Sequence, residues 1–216
     1  MMRVRIENVV ASASLGVRLD LPSIALAIEG AEYAPERFPG LICHLTQPKT
    51  AMLLFQSGKV VCTGGKSLHQ AETTVRRIAE LVRRSGQRIP KHPPIQVQNI
   101  VATADLQSEI NLTSVAVTLG LDHVEYEPEQ FPGLVYRLAE PKVVVLLFGS
   151  GRMVCTGARR PSDVLVAVQR IKRELQASEH LGRDRDRVAP EEVRPSRRSP
   201  PSKALLATRA LNAASA

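Results

Sequence analysis

The chain has 216 residues, a formal net charge of +8, 44% hydrophobic and only 3% aromatic residues, which suits one duplicated domain or two small ones with a real core. No apolar run approaches the roughly 20 residues of a membrane helix, and the polar–apolar alternation of Met1 to Val10 does not read as a signal peptide, so a soluble cytoplasmic protein is expected. Three cysteines without CxxC or Cys/His ligand spacing argue for small buried hydrophobes rather than metal or redox chemistry.

Residues 3–13, RVRIENVVASA, alternate as a strand does, with Asn8 and Val10 on one face. A short helix follows at IALAI, capped by Asp20 or Ser23. ICHLT, TAMLLF and KVVCTG then read as strands, with the QSG turn joining the last two. In the third of these, Lys59, Val61 and Thr63 share one face while Val60 and Cys62 share the other. Ser67 opens a capping box with Gln70, and Ala71, Val75, Ile78 and Val82 form the apolar stripe of a longer helix. The proline-rich stretch 86–94 is a short linker.

The second half repeats the first. FPGLICHLTQPKTAMLLFQSGKVVCTG, from Phe38 to Gly64, matches FPGLVYRLAEPKVVVLLFGSGRMVCTG, from Phe131 to Gly157, at a constant offset of 93 residues. QVQNIVATA partners the first strand at an offset of 91, bringing Asn99 and Val101. NLTSVAVTL supplies the short helix, capped by Asn111 or Ser114. Ser162 is the expected cap of the closing helix, whose stripe is Val164, Val168, Ile171 and Leu175. A repeat this long means duplicated structural units: 1–85 and 95–181, followed by a tail at 182–216. That tail holds eight Arg or Lys against four Asp or Glu and is rich in proline, a disordered composition.

All four phenylalanines fall inside the repeated block, as Phe38 with Phe55 and Phe131 with Phe148. They are either duplicated core positions or a functional surface. Duplication of strand, helix, strands and helix gives one wide antiparallel sheet with the long helices on one face. The other face is open and carries valines, leucines and phenylalanines, and so much exposed apolar surface implies a partner. Asn8, Asn99, Thr63 and Thr156 set hydrogen-bonding groups among the valines. Lys49, Lys59, Lys142 and Arg152 lie near strand ends and turns. This chemistry suits the minor groove of A·T-rich DNA, which offers acceptors only, whereas G·C adds a protruding amino donor.

The motifs NVVAS/NIVAT, ERFPGL/EQFPGL, QPK/EPK and LLFQSGKVVCTG/LLFGSGRMVCTG, with the helix that follows each, resemble the archaeal TATA-box-binding protein family over residues 3–180. The resemblance implies an α+β, pseudo-twofold saddle: one curved antiparallel sheet with helices on its convex face. It implies that the Phe38–Phe55 and Phe131–Phe148 pairs are wedges between base steps, the device by which this family is known to kink DNA. It places Asn8 and Asn99 on base edges beside Thr63 and Thr156. Val10, Val101, Val61, Val154, Leu53 and Leu146 are then the apolar groove contacts, and Arg37, Lys49, Lys59, Arg137, Lys142 and Arg152 the backbone contacts. Two positions depart between the halves: His44 partners Arg137, and Gln130 partners Arg37. Glu125, Glu127 and Glu129 are implied to dock a TFIIB-like factor, with a plain solvated acidic loop as the alternative. RNA polymerase follows indirectly, and a homodimer is a further way to cover the face without DNA.

No cofactor, metal or membrane is implied. The five histidines share no metal spacing, and no GxSxG, P-loop or GxGxxG occurs, which argues against an enzyme. An RNA-binding sheet is disfavoured because the face offers valines where base stacking needs rings.

Overall fold

The computed structural model describes residues 3–120 and 122–178; the expectations for the tail at 182–216 lie outside the described residues. The first half contains β1 (Val4–Ser14), α1 (Leu21–Ala27), β2 (Ala31–Tyr33), β3 (Gly40–Thr46), β4 (Lys49–Phe55), β5 (Lys59–Gly65) and α2 (Leu68–Arg84). The second contains β6 (Ile95–Asp105), α3 (Leu112–Leu119), β7 (Val124–Glu125), β8 (Gly133–Leu138), β9 (Val143–Phe148), β10 (Arg152–Ala158) and α4 (Pro161–Ala177).

Every pairing is antiparallel, and the strands form one open sheet in the order β2-β3-β4-β5-β1-β6-β10-β9-β8-β7. Replacing each strand by its repeat partner reverses this order, which is the signature of a pseudo-twofold axis between β1 and β6. The register locates it. Asn8 pairs with Val101, Val9 with Ile100 and Val10 with Asn99, so the axis passes through the Val9–Ile100 pair. The register shifts between Ile6 and Asn8, and again between Val10 and Ala11. Glu7 on β1 and its partner Gln98 on β6 are therefore bulge residues, which sharpen the twist of the central strands.

Alternation assigns the two faces. Val9, Ala11, Met52, Leu54, Val60 and Cys62 are buried against Ala71, Val75, Ile78 and Val82 of α2. Ile100, Ala102, Val145, Leu147, Met153 and Cys155 are buried against Val164, Val168, Ile171 and Leu175 of α4. Each half thus has its own core on the helix side, and the result is the saddle fold with helices on the convex face. Both predicted stripes face the sheet.

The caps agree with the sequence at three of four helices. Asp20 accepts from the Ser23 N–H at 3.4 Å, Asn111 from Ser114 at 3.1 Å, and Ser67 from Gln70 at 3.1 Å. The Gln70 side chain reaches the N–H of Lys66 at 2.8 Å, one residue beyond the expected box. The fourth needs correction. α4 begins at Pro161 with Arg160 as N-cap, and the Asp163 carboxylate accepts the Arg160 N–H at 3.2 Å. Ser162 lies inside the first turn. Proline at the first helical position moves the start upstream of the serine, because its fixed φ and absent N–H suit that site. The structure also adds β2 and β7, edge strands of three and two residues, too short to leave a periodic signal.

Candidate nucleic-acid interface

The open face is built from strand parity. Leu53 lies between Ile42 on β3 and Val61 on β5, and Val61 pairs in turn with Ser12 on β1. In the second half Leu146 lies between Val135 and Val154, and Val154 pairs with Thr103. Ile42, Leu53, Val61, Val10 and their partners Val135, Leu146, Val154 and Val101 are all half-buried, a state consistent with a surface that no helix of the described residues covers. Ile42, Ala51, Val135 and Val144 belong to this face but were not singled out from sequence; extending the alternation from Leu53 and Leu146 identifies them.

Near the axis each asparagine is locked. The Asn8 Oδ1 accepts the Gly64 N–H at 2.7 Å, and its Nδ2 donates to the Thr63 hydroxyl at 3.2 Å. The Asn99 Oδ1 accepts the Gly157 N–H at 2.7 Å, and its Nδ2 donates to the Thr156 hydroxyl at 3.2 Å. Gly64 and Gly157 have φ of +94° and +91°, a conformation that side chains rarely adopt. That backbone geometry turns the N–H toward the amide oxygen. Because an N–H must meet oxygen, the amide orientation is fixed and one Nδ2 proton on each side stays available. The pair therefore offers donors, which is what a row of groove acceptors requires.

The four phenylalanines stand at the flanks. Phe38 and Phe55 have ring centroids 5.8 Å apart at 62°, and Phe131 and Phe148 are 5.9 Å apart at 65°. Both pairs are half-buried, not core. The first ring of each pair is delivered by a turn: the Ala34 carbonyl accepts the N–H of Phe38 at 3.0 Å, and the Glu127 carbonyl accepts that of Phe131 at 3.0 Å. Pro48 and Pro141, in the QPK and EPK turns, both follow cis peptide bonds.

The charged residues lie at the margins. Lys49, Lys59 and Arg152 begin β4, β5 and β10, Lys142 immediately precedes β9, and all four are exposed, as are Arg37 and Arg137. Arg152 lies 4.0 Å from Asp105. Arg137 donates to Glu125 at 3.3 Å, so a residue expected at DNA is paired with one expected at a protein partner. That pair is exposed and contributes at most about 1 kcal/mol, so either partner is free to exchange. Glu127 and Glu129 are exposed beside it.

Glu7 was not foreseen. Strict alternation from Asn8 puts it on the helix side, but the bulge turns its carboxylate outward, where it accepts from the Thr103 hydroxyl at 3.1 Å. Its partner Gln98 donates to Ser12 at 2.7 Å. No one-strand pattern reveals a bulge.

All three cysteines are free and buried. Burial pushes the thiols of Cys43 and Cys62 up to about 11 and that of Cys155 up to about 12, so thiolate is scarce at neutral pH. Among the described residues no group of three or more His, Cys, Asp or Glu is placed to hold a metal ion. Among the same residues no helix is long and apolar enough to cross a membrane.

Comparison with known proteins agrees with this geometry. The family model described as transcription factor TFIID (or TATA-binding protein, TBP) matches residues 3–85 and 94–178. The TATA-box-binding protein of Picrophilus torridus is 56% identical over 176 residues, covering 82% of this chain and 96% of that protein. That of Archaeoglobus fulgidus is 51% identical over 173 residues, covering 80% and 94%. The solved structure of Methanococcus jannaschii TBP superposes with a TM-score of 0.74 at 48% identity, covering 81% of this chain and 99% of that one. The chain belongs to the TATA-box-binding protein family, a family of transcription factors and not of enzymes.

Proposed function

We propose that this chain is a general transcription initiation factor that binds the minor groove of A·T-rich promoter DNA, kinks it and recruits a TFIIB-like factor, and through it RNA polymerase. The observation that carries this reading is the pair of locked asparagine donors at the centre of an apolar face. Val10, Val61, Leu53 and their repeat partners press on the groove floor, where a guanine amino group would clash. The two phenylalanine pairs wedge into base steps at the ends of the site. Lys49, Lys59, Lys142, Arg37, Arg137 and Arg152 reach phosphates, which makes the affinity salt-dependent. Bending costs about 1–10 kcal/mol, and burial of the apolar face offsets it. Glu125, Glu127 and Glu129 form the docking edge for the TFIIB-like factor. Without DNA the same apolar face suits a second copy of the chain. The working location is the nucleoid.

Fluorescence transfer between the ends of a short duplex tests this. An A·T-rich duplex carrying TTTATATA shortens on binding, while a G·C-rich duplex and the single strand do not. Binding without shortening, or a preference for the single strand, would overturn the kinking mechanism.

A further inference from the structure

Gly40 and Gly133 open β3 and β8, and neither has the positive φ that would demand a glycine. Glycine weakens a strand, so the position has another use, and close approach of a neighbour is the usual one. The neighbours here are the rings. A Cβ on Gly133 would lie 2.7 Å from Cε1 of Phe131 and 3.0 Å from Cε1 of Phe148. On Gly40 it would lie 2.7 Å from Cε1 of Phe38 and 3.2 Å from Cε1 of Phe55. Gly40 pairs across the sheet with Phe55, and Gly133 with Phe148, so each ring of the second kind lies over a bare Cα. An aromatic ring covering a glycine is a known way to compensate its missing side chain.

We propose that Gly40 and Gly133 are positioning residues for the two phenylalanine pairs, seats whose missing side chain sets the angle at which the rings stand on the open face. This rests on the wedge reading above, and it adds what holds the wedges in aim. The backbone oxygens of Leu54 and Leu147, 3.1 and 3.2 Å from the added atom, need yield only a few tenths of an ångström. The ends of Phe38 and Phe131, at 2.7 Å, must move further, and as the far ends of side chains they can do so, with Phe55 and Phe148 following by a few tenths of an ångström. Alanine therefore re-aims the rings while the sheet stays in place. The second seat is the tighter toward its second ring, 3.0 Å against 3.2 Å, so its effect is the larger.

The chain's four phenylalanines make the test direct. Fluorinated phenylalanine gives four resonances in the free protein. Gly133→Ala shifts those of Phe131 and Phe148, leaves the other two in place and keeps the melting temperature. On the A·T-rich duplex it reduces the bend and weakens binding about tenfold; Gly40→Ala does the same at the other end with a smaller loss. Unshifted resonances overturn the seat, as does unfolding of both variants. Phe148→Ala separates the two readings. If it reduces the bend while Gly133→Ala shifts the rings and leaves the bend intact, the seat inference fails alone. If neither changes the bend, the wedge reading fails and takes the seat with it.

Discussion

Leu53 and Leu146, Val61 and Val154, Asn8 and Asn99 occupy matching places in the two halves, and even the asparagine-to-glycine hydrogen bonds have the same 2.7 Å length. The margins diverge. Ala34 stands where Glu127 does, Arg37 where Gln130 does and His44 where Arg137 does, while beside the axis Glu7 stands where Gln98 does. On the helix side, Tyr136 donates to Glu174 at 3.2 Å, and Arg170 donates to the same carboxylate at 2.8 Å; the first half has Cys43 and Leu81 there instead. Burial raises the Tyr136 phenol above its ordinary range, and the Glu174 charge adds to the rise. A twofold ligand would account for the shared Asn, Val and Leu positions. The differences at the rim and back are what partners of one half only would require.

The strongest challenge to that comparison is at the rings. Phe148→Ala should cost about 2 kcal/mol or more of DNA affinity and reduce the bend, and Phe55→Ala should match it, because the pairs share one geometry. An unchanged bend in either variant would break the symmetry of the wedges. Asn99→Ala comes next. It removes a groove donor and strands the Gly157 N–H, for a loss of about 1–3 kcal/mol in binding and stability together, and Asn8→Ala should do the same. Gel shift and calorimetry on both variants would show whether the centre is energetically twofold.

Glu127→Arg sharpens the divergence. It should leave DNA affinity and bend nearly unchanged while the TFIIB-like factor no longer joins the complex; equal recruitment by both proteins would remove the docking role. Asp163→Ala should lower unfolding free energy by about 0.5–2 kcal/mol without altering DNA binding, because it frees only the α4 start. The corresponding change at Ser67 should cost a similar amount, and Ser162→Ala much less. The smallest effect is expected at the thiols. Alkylating reagent at pH 8 should label none of Cys43, Cys62 and Cys155 in the native protein and all three after unfolding, since burial holds them at about 11, 11 and 12. Labelling of Cys155 alone would mean that the second core opens separately.

Periodicity exposed most of this architecture. The stripes of α2 and α4 and the alternation of β4, β5, β9 and β10 are consequences of helix and strand geometry, so they appear in any one copy and twice over in the repeat. The resemblance supplied the expected role of the phenylalanines, which pattern alone leaves as either core or surface. Other features depend on events that sequence period does not encode. Glu7 leaves the helix side because of a bulge, the Asn8 amide is oriented by a glycine N–H from another strand, and Arg137 finds Glu125 only once β7 pairs with β8. The α4 start was misread because serine is a good cap in general, whereas here the preceding proline moved the helix start.

The edge strands have a consequence for solubility. A ten-stranded open sheet ends in two rows of unpaired backbone groups, which would ordinarily template pairing with another chain. The outermost strands β2 and β7 are only three and two residues long and carry Glu32 and Glu125. Short, acidic outer strands disfavour fibre-like growth from the rims. Rims of this kind turn contacts between copies of the chain away from open-ended stacking.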